Sequence, residues 1–526
     1  MSISQQAKTG LKRKDELQTE LLARIYVVIM LCIFPLYLNA DKYILLTNHK
    51  TVFLFVVTLL ALLSIPILYF TRFSGANQIK SIKPPALSFA GWALVAFLFV
   101  TLVATVFTPY PKNVFWGYEE RFDGFATQLL YGVIFFFVAR YYRPREIDIV
   151  AFAVSSMLVS IIGILQYYEM DFLKLFPYDM LPSYTAKTII FRTTLGNVDV
   201  VSSYLSITVV LFGLLYVKHP GKFRPLYLAA GALNAYMLVV AGAEAGMVGA
   251  LAAFVLSLPF VLSDLKTLAR LLLLGGVYAL MLFLFNTSNA APGTLNLLGS
   301  RWFLLSLALL VLGAALFLIA GRVRFSPKAA TMRWVGASFI VLILVLGIVV
   351  VEKVGADPAA GTIYQVRELL HGNFQDEFGT YRGFVWSRTF RILQESTPFG
   401  QLLIGSGPDT FVDRFGPFQE ESKALLNIVY DKAHNEYLQI VICQGILGLG
   451  AYLLFLGAVL KNAVKRAFDD PLLLACLLAC VSYLVQAFFS ISLPISAPTL
   501  WILLGVVALK SRNQDGKDSQ TALRFP

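Results

Sequence analysis

The chain alternates long apolar runs with short polar joins, and the runs have the length of a bilayer rather than of a buried core helix. A spanning helix needs ~20 mostly apolar residues, with ~17 the usual minimum. By that measure the pattern predicts about fourteen spans (12–14), at residues 24–40, 51–70, 87–107, 125–140, 147–167, 200–217, 226–242, 246–262, 269–285, 302–320, 334–351, 434–460, 471–490 and 495–509. The first and last are the weakest; the last is short and contains Pro498. The Gly-rich join 241–246 is also soft. The expected fold class is an all-α polytopic membrane protein.

The joins divide the chain into three parts. Residues 1–351 carry spans one to eleven, residues 352–433 form a large loop of 82 residues, and residues 434–526 hold the last three spans and a tail. A structureless loop of that length is uncommon unless it is functional. Within it, residues 380–397 read TYRGFVWSRTFRILQEST, with Phe384, Trp386, Phe390, Ile392 and Leu393 at helical spacing and Pro398 and Gly400 as stops. An amphipathic helix against the outer membrane surface is expected there, among other short helices of the loop. A second long loop covers residues 168–199.

Composition agrees. The 526 residues are 58% hydrophobic and 14% charged, with mean hydropathy +0.72, which excludes a soluble enzyme, a disordered chain and a secreted disulfide scaffold. The net charge of +12 needs a place. With the N-terminus inside and the spans alternating, the inner segments hold 27 of the 43 basic residues and 10 acidic ones. The outer segments hold 16 basic and 21 acidic, so the inner side carries +17 and the outer side −5. The excess is a topology signal with both ends cytoplasmic, not a nucleic-acid footprint. The four cysteines, Cys32, Cys443, Cys476 and Cys480, fall in apolar runs as small buried hydrophobes. No metal site is supported. The N-terminal region lacks the pattern of a cleavable signal peptide.

Few residues outside the apolar runs suggest chemistry. His434 opens a long span in AHNEYLQIVICQG. The positive end of a helix disfavours imidazolium, so this histidine should be neutral and able to accept a proton. Asn435 and Tyr437 flank it, and Leu438 and Ile442 can pack beneath it. Arg192 lies before the sixth span; Arg382, Arg388 and Arg391 lie on the expected loop helix. Guanidinium forks match phosphate oxygens, so arginines near a histidine on a net acidic face suggest a site for an anionic group. Glu244 and Asp199 sit at outer span ends, where a charge near hydrocarbon is a functional candidate. The stretch LIGSGPDTF (403–411) reads as a turn that lets the loop pack closely.

These residues carry a resemblance. His434-Asn435-Glu436-Tyr437-Leu438-Gln439, followed by Gln444-Gly445-Ile446-Leu447-Gly448, resembles the signature of the O-antigen ligase and O-antigen polymerase superfamily. Tyr381-Arg382-Gly383 with Trp386, then Pro398-Phe399 and residues 403–408, resembles that family's loop motif; Arg192 with Gly196-Asn197 resembles a motif before a mid-chain span. The likeness covers roughly residues 190–460. One departure concerns a Ser-Arg-Gly element of the family: here the chain reads Ala243-Glu244-Ala245-Gly246, with an acid in place of the basic residue.

The resemblance implies a metal-independent, cofactor-free glycosyltransferase of the GT-C type in a bacterial cytoplasmic membrane. Its donor would be a polyprenyl-diphosphate-linked glycan on the outer face, and its acceptor a lipid, glycan or protein. His434 would be the general base, Arg192, Arg382 and Arg388 would bind the diphosphate, and Asn435, Tyr437 and Glu244 would support them. A related possibility shares the donor class but makes a peptidoglycan- or teichoic-type polymer. The reading from another class is a flippase or transporter of lipid-linked glycan. Against it stand the lack of an internal repeat and the clustering of charged candidates at one face rather than at mid-depth.

Overall fold

The computed structural model describes residues 18–70, 87–175, 191–262, 264–289, 300–322 and 329–512. Several of the charges expected on inner loops, among them Lys8, Lys12, Arg13, Lys14, Arg72, Lys80, Lys83, Arg324 and Lys328, lie outside the described residues, as does most of the basic tail.

The chain is a multi-pass helical membrane protein. Helix α1 covers residues 18–28 and continues as a π-turn over Ile29–Ile33. The membrane bundle continues with α2 (Leu46–Phe70), α3 (Phe89–Val106), α4 (Phe125–Tyr141), α5 (Glu146–Tyr167), α6 (Val198–Lys218), α7 (Arg224–Ala241), α8 (Glu244–Val261), α9 (Leu265–Ser288), α10 (Arg301–Ala320) and α11 (Ala329–Val354). The loop that follows folds into α12 (Thr362–Leu370), α13 (Phe378–Glu395), α14 (Phe399–Ile404), α15 (Phe411–Arg414) and α16 (Gly416–Leu426). The bundle closes with α17 (Glu436–Val464), α18 (Pro471–Gln486) and α19 (Ala497–Arg512). Among the described residues the β-structure is one two-residue hairpin, β1 (Phe191–Arg192) with β2 (Gly196–Asn197).

The exact count of fourteen spans is not confirmed: among the described residues eleven helices are long and apolar enough to cross a membrane. Phe125–Tyr141 and Ala497–Ser511 are apolar but shorter. The first expected span, 24–40, ends early for a local reason. The helix gives way to a π-turn and then turns at Pro35, and the freed carbonyls of Phe34 and Pro35 accept hydrogen bonds from buried Lys50 Nζ at 2.8 and 3.2 Å.

Helix α6 is the axis of the bundle. It is buried along nearly its whole length and packs against α7, α8 and α18. Helices α10 and α11 are apolar but mostly exposed, as helices facing lipid would be. The loop helices form a cap with its own apolar core of Phe378, Phe384, Trp386, Ile392, Phe411, Phe415 and Tyr430. That core continues into Leu438 and Ile442 at the head of α17, so cap and bundle are packed as one. The apolar face of α13 thus meets the cap core rather than lying only on a membrane surface.

The glycine stretch 403–408 explains how the cap docks. Helix α17 is broken at Gly445, whose φ is +72°. The carbonyls of Ile442 and Cys443 accept hydrogen bonds from Ser406 N at 3.0 Å and Gly407 N at 2.9 Å. A Cβ on Gly445 would lie 2.2 Å from the Leu403 carbonyl oxygen, and one on Gly405 2.2 Å from that of Cys443. The two glycines therefore allow two backbones to touch.

Candidate functional site

His434 sits where the cap meets the head of α17. Its neighbours are pinned. Ala433 N donates to Gln439 Oε1 at 3.0 Å, Ala433 O accepts from Trp386 Nε1 at 2.8 Å, and the Asn435 side chain caps α17 by accepting from Leu438 N at 3.0 Å. Between them His434 adopts φ +49°, a left-handed conformation that costs a non-glycine residue ~1–3 kcal/mol and persists only where its surroundings impose it. The ring stands edge-on to Tyr430, with centroids 6.3 Å apart, and remains 27% exposed.

Three chain segments converge on this imidazole. Asp199, in the first turn of α6, places Oδ2 3.9 Å from His434 Nδ1. Its other oxygen, Oδ1, lies 3.7 Å from Arg382 Nη2. The Asp199 amide donates to the capping Asn197 side chain at 2.8 Å, which fixes the helix start. Arg382, from the kinked start of α13, is held by the Phe489 carbonyl at 2.8 Å from Nε and the Gly379 carbonyl at 2.6 Å from Nη1. Burial pushes the His434 imidazolium below its ordinary pKa; Asp199 opposes that shift and Arg382 adds to it. The neutral ring is therefore the resting form at neutral pH, and the nitrogen away from Asp199 is the one left to accept a proton.

A polar recess opens beneath the histidine. Lys432 Nζ is 2.5 Å from Asp123 Oδ2 and 3.6 Å from Asp409 Oδ1, with all three side chains buried. Asp123 also accepts from Gln128 Nε2 at 2.6 Å, and Asp409 from the Tyr118 amide at 2.7 Å. Burial alone would lower the Lys432 ammonium, but Asp123 and Asp409 outweigh it and hold the pKa above its ordinary value. Asp409 is pushed up, by burial first and by Asp123 in addition, with Lys432 pulling back. Glu436, in the first turn of α17, accepts from Tyr452 OH at 2.9 Å. At the mouth Arg121 pairs with Asp431 and donates to the Asp431 carbonyl at 2.6 Å.

The other sequence candidates divide. Arg192, in the hairpin that leads into α6, is 2% exposed and lies over the Tyr167 ring at 5.0 Å. Burial lowers its guanidinium pKa. Arg388 is committed within the cap: Nη1 is 2.5 Å from Asp376, Nη2 is 2.7 Å from Glu421, and the guanidinium covers the Phe384 ring at 4.1 Å. Arg391 pairs with Glu395 at the surface, 2.9 Å. Asn435 lines the recess. Tyr437 donates to the Leu484 carbonyl at 2.7 Å. Glu244 is exposed in the first turn of α8. Sequence reasoning named Asp199 only as a charged span end, and it left out Lys432, Asp123 and Glu436 as site residues. Their signal is faint: charges close to apolar runs, with Lys432 and Asp123 309 positions apart.

Comparison with known proteins bears on the same region. Residues 290–453 match the family model described as O-antigen ligase, a segment that contains both Arg382 and His434. No curated protein matches the chain at a significant level.

Proposed function

We propose that this chain, whose family match supports the O-antigen ligase superfamily, transfers a glycan from a polyprenyl-diphosphate-linked donor at the outer face of a bacterial cytoplasmic membrane. The convergence of Asp199, Arg382 and a neutral His434 on one mouth at the cap–bundle junction carries this proposal. The acceptor hydroxyl oxygen attacks the anomeric carbon of the donor sugar as the bond from that carbon to the diphosphate oxygen breaks. The hydroxyl proton goes to the free imidazole nitrogen of His434 as general base. The bonding electrons leave with the polyprenyl diphosphate, whose charge faces Arg382. Asp199 holds the opposite side of the ring, and cap and helix hold the partners in line.

Among the arginines proposed from the sequence, Arg382 is the one beside the histidine; Arg192 would act from beneath the hairpin and Arg388 through the shape of the cap. The Asp199–Arg382–His434 group stands at the cap end of the bundle, which suits transfer to an acceptor better than passage through mid-depth.

Incubation of the purified protein with a defined polyprenyl-diphosphate oligosaccharide tests this, with mass analysis of the products. Longer chains on the same carrier identify a polymerase, and glycan on a new acceptor identifies a ligase. His434→Ala should lose ~10²–10⁴-fold in rate while remaining folded. Undiminished transfer by that variant would refute the proposed base.

A further inference from the structure

We infer that the recess under His434 is a sugar-binding subsite: it takes the hydroxylated edge of the acceptor's nucleophilic sugar, and that sugar is neutral or amino-substituted rather than acidic. The inference rests on His434 acting as base, because it places the attacked hydroxyl at the mouth of the recess.

The first observation is an excess of hydrogen-bond acceptors. Asp409 Oδ1, Glu436 Oε2 and Gln444 Oε1 belong to residues that line the recess, are shielded from solvent and have no hydrogen-bond partner among the described residues. The hydroxyls of Tyr131 and Ser490 share that condition on the same walls. Asp409, Gln444, Tyr131 and Ser490 are each more than nine-tenths buried. Buried polar atoms are normally satisfied, so a cluster of them on one cavity calls for a partner that brings its own donors. Gln444 Oε1 accepts only, and the carboxyl oxygens of Asp409 and Glu436 accept when ionised. A ligand rich in O–H or N–H groups answers that set, and a carboxylate or phosphate does not.

The second observation is charge. Lys432 is the cation of the recess, and Asp123 at 2.5 Å and Asp409 at 3.6 Å already surround it. Glu436 adds a further carboxyl, which accepts from Tyr452. The walls therefore carry more carboxyls than cations, whereas at the mouth Arg382 and Arg121 each stand beside one acid. An anionic donor group is favoured at the mouth and an anionic acceptor sugar is disfavoured below it.

The third observation is shape. Phe97, Tyr452 and Trp501 bring apolar ring surface to the lining, and Trp501 is held in place by stacking on Tyr131 and Phe455 with centroids 5.6 Å away. Apolar surface beside a few convergent polar groups is the usual make-up of a small-ligand site.

The test reads binding separately from transfer. Saturation-transfer NMR on the full chain in lipid nanodiscs, with glucose, glucosamine and glucuronate as probes, should give signals for glucose and glucosamine and none for glucuronate. Gln444→Leu and Ser490→Ala should each weaken the glucose and glucosamine signals at least tenfold in apparent affinity, whereas Gly457→Ala, away from the recess, should keep them. Equal binding of glucuronate, or sugar signals unchanged in both recess variants, overturns the subsite. Sugar binding that behaves as expected beside full transfer activity in His434→Ala overturns the base and leaves the subsite standing.

Discussion

Asp199 and His434 face each other across the junction of bundle and cap, carboxylate Oδ2 to imidazole Nδ1 at 3.9 Å, while the second oxygen of the same carboxylate lies 3.7 Å from Arg382. One acid thus serves both the base and the arginine. At 3.9 Å the contact is longer than a hydrogen bond, and it becomes an ion pair only when the ring takes up a proton.

Asp199→Asn removes the negative charge that holds the His434 pKa up against burial. The sign follows directly. On the proposed mechanism the neutral ring is the active form, so activity should be lost as pH falls through a pKa already below the ordinary 6.5. Without Asp199 that pKa drops further. The acid limb of the kcat profile should move to lower pH, while kcat itself falls ~10-fold because the ring loses its orientation. An acid limb that moves up would contradict the geometry.

Arg382 and Arg388 sit two turns apart but should respond differently. Arg388 is fastened to Asp376 and Glu421 and covers Phe384, so Arg388→Ala should loosen the cap by ~1–2 kcal/mol, after discount for its partial exposure. Protease accessibility of residues 362–426 would report it. Arg382→Ala should leave that protection nearly unchanged and raise KM for the diphosphate donor at least tenfold. Arg382→Lys should recover only part, because a point charge cannot replace the fork that bonds Phe489 and Gly379.

The contrast between these residues shows what was legible in the chain. Apolar runs of bilayer length announce themselves locally, so the helical membrane fold could be read directly. His434 was legible because it stands at a helix start, where physical chemistry favours a neutral base. The break of the first apolar run at Pro35 was not legible, because buried Lys50 and Thr194, which satisfy its carbonyls, are distant positions that hydropathy alone does not register. The apolar face of α13 was visible, but amphipathicity does not say whether lipid or other loop helices will cover it. Lys432 and Asp123 are 309 positions apart, and no local periodicity joins them.

That ion cluster makes its own prediction. Removing Lys432 leaves Asp123 and Asp409 buried with their cation gone, and breaking such a pair costs ~3–5 kcal/mol. Lys432→Met should therefore lower the thermal midpoint of the protein in nanodiscs sharply. Adding Asp123→Leu to Lys432→Met should restore part of the loss, since an apolar replacement removes the unpaired charge. Because the Lys432 pKa is raised above its ordinary value, its stabilisation is complete below that ordinary value and is lost only as pH rises through the folded one. The wild-type midpoint should hence show no change near neutral pH traceable to this residue. A double variant weaker than the single one would refute the cluster's energetics.

The docking of the cap on α17 depends on two backbones meeting at Gly445, and two glycines of the same helix test that contact. At Gly445 a methyl group would meet the Leu403 carbonyl oxygen at 2.2 Å, with φ at +72°. At Gly457 a Cβ meets nothing within 4 Å. Gly445→Ala should cost ~1–3 kcal/mol or more, from strain and from separation of Ser406 and Gly407 from the Ile442 and Cys443 carbonyls. Gly457→Ala should be neutral or slightly stabilising, as alanine is the better helix former by ~1 kcal/mol. Hydrogen exchange separates the two: protection of the Ser406 and Gly407 amides should collapse in Gly445→Ala and stay intact in Gly457→Ala. Transfer activity should follow the same division, because the cap that carries Arg382 is held to the helix that begins beside His434 through these contacts. Retained protection in Gly445→Ala would mean that the cap docks elsewhere.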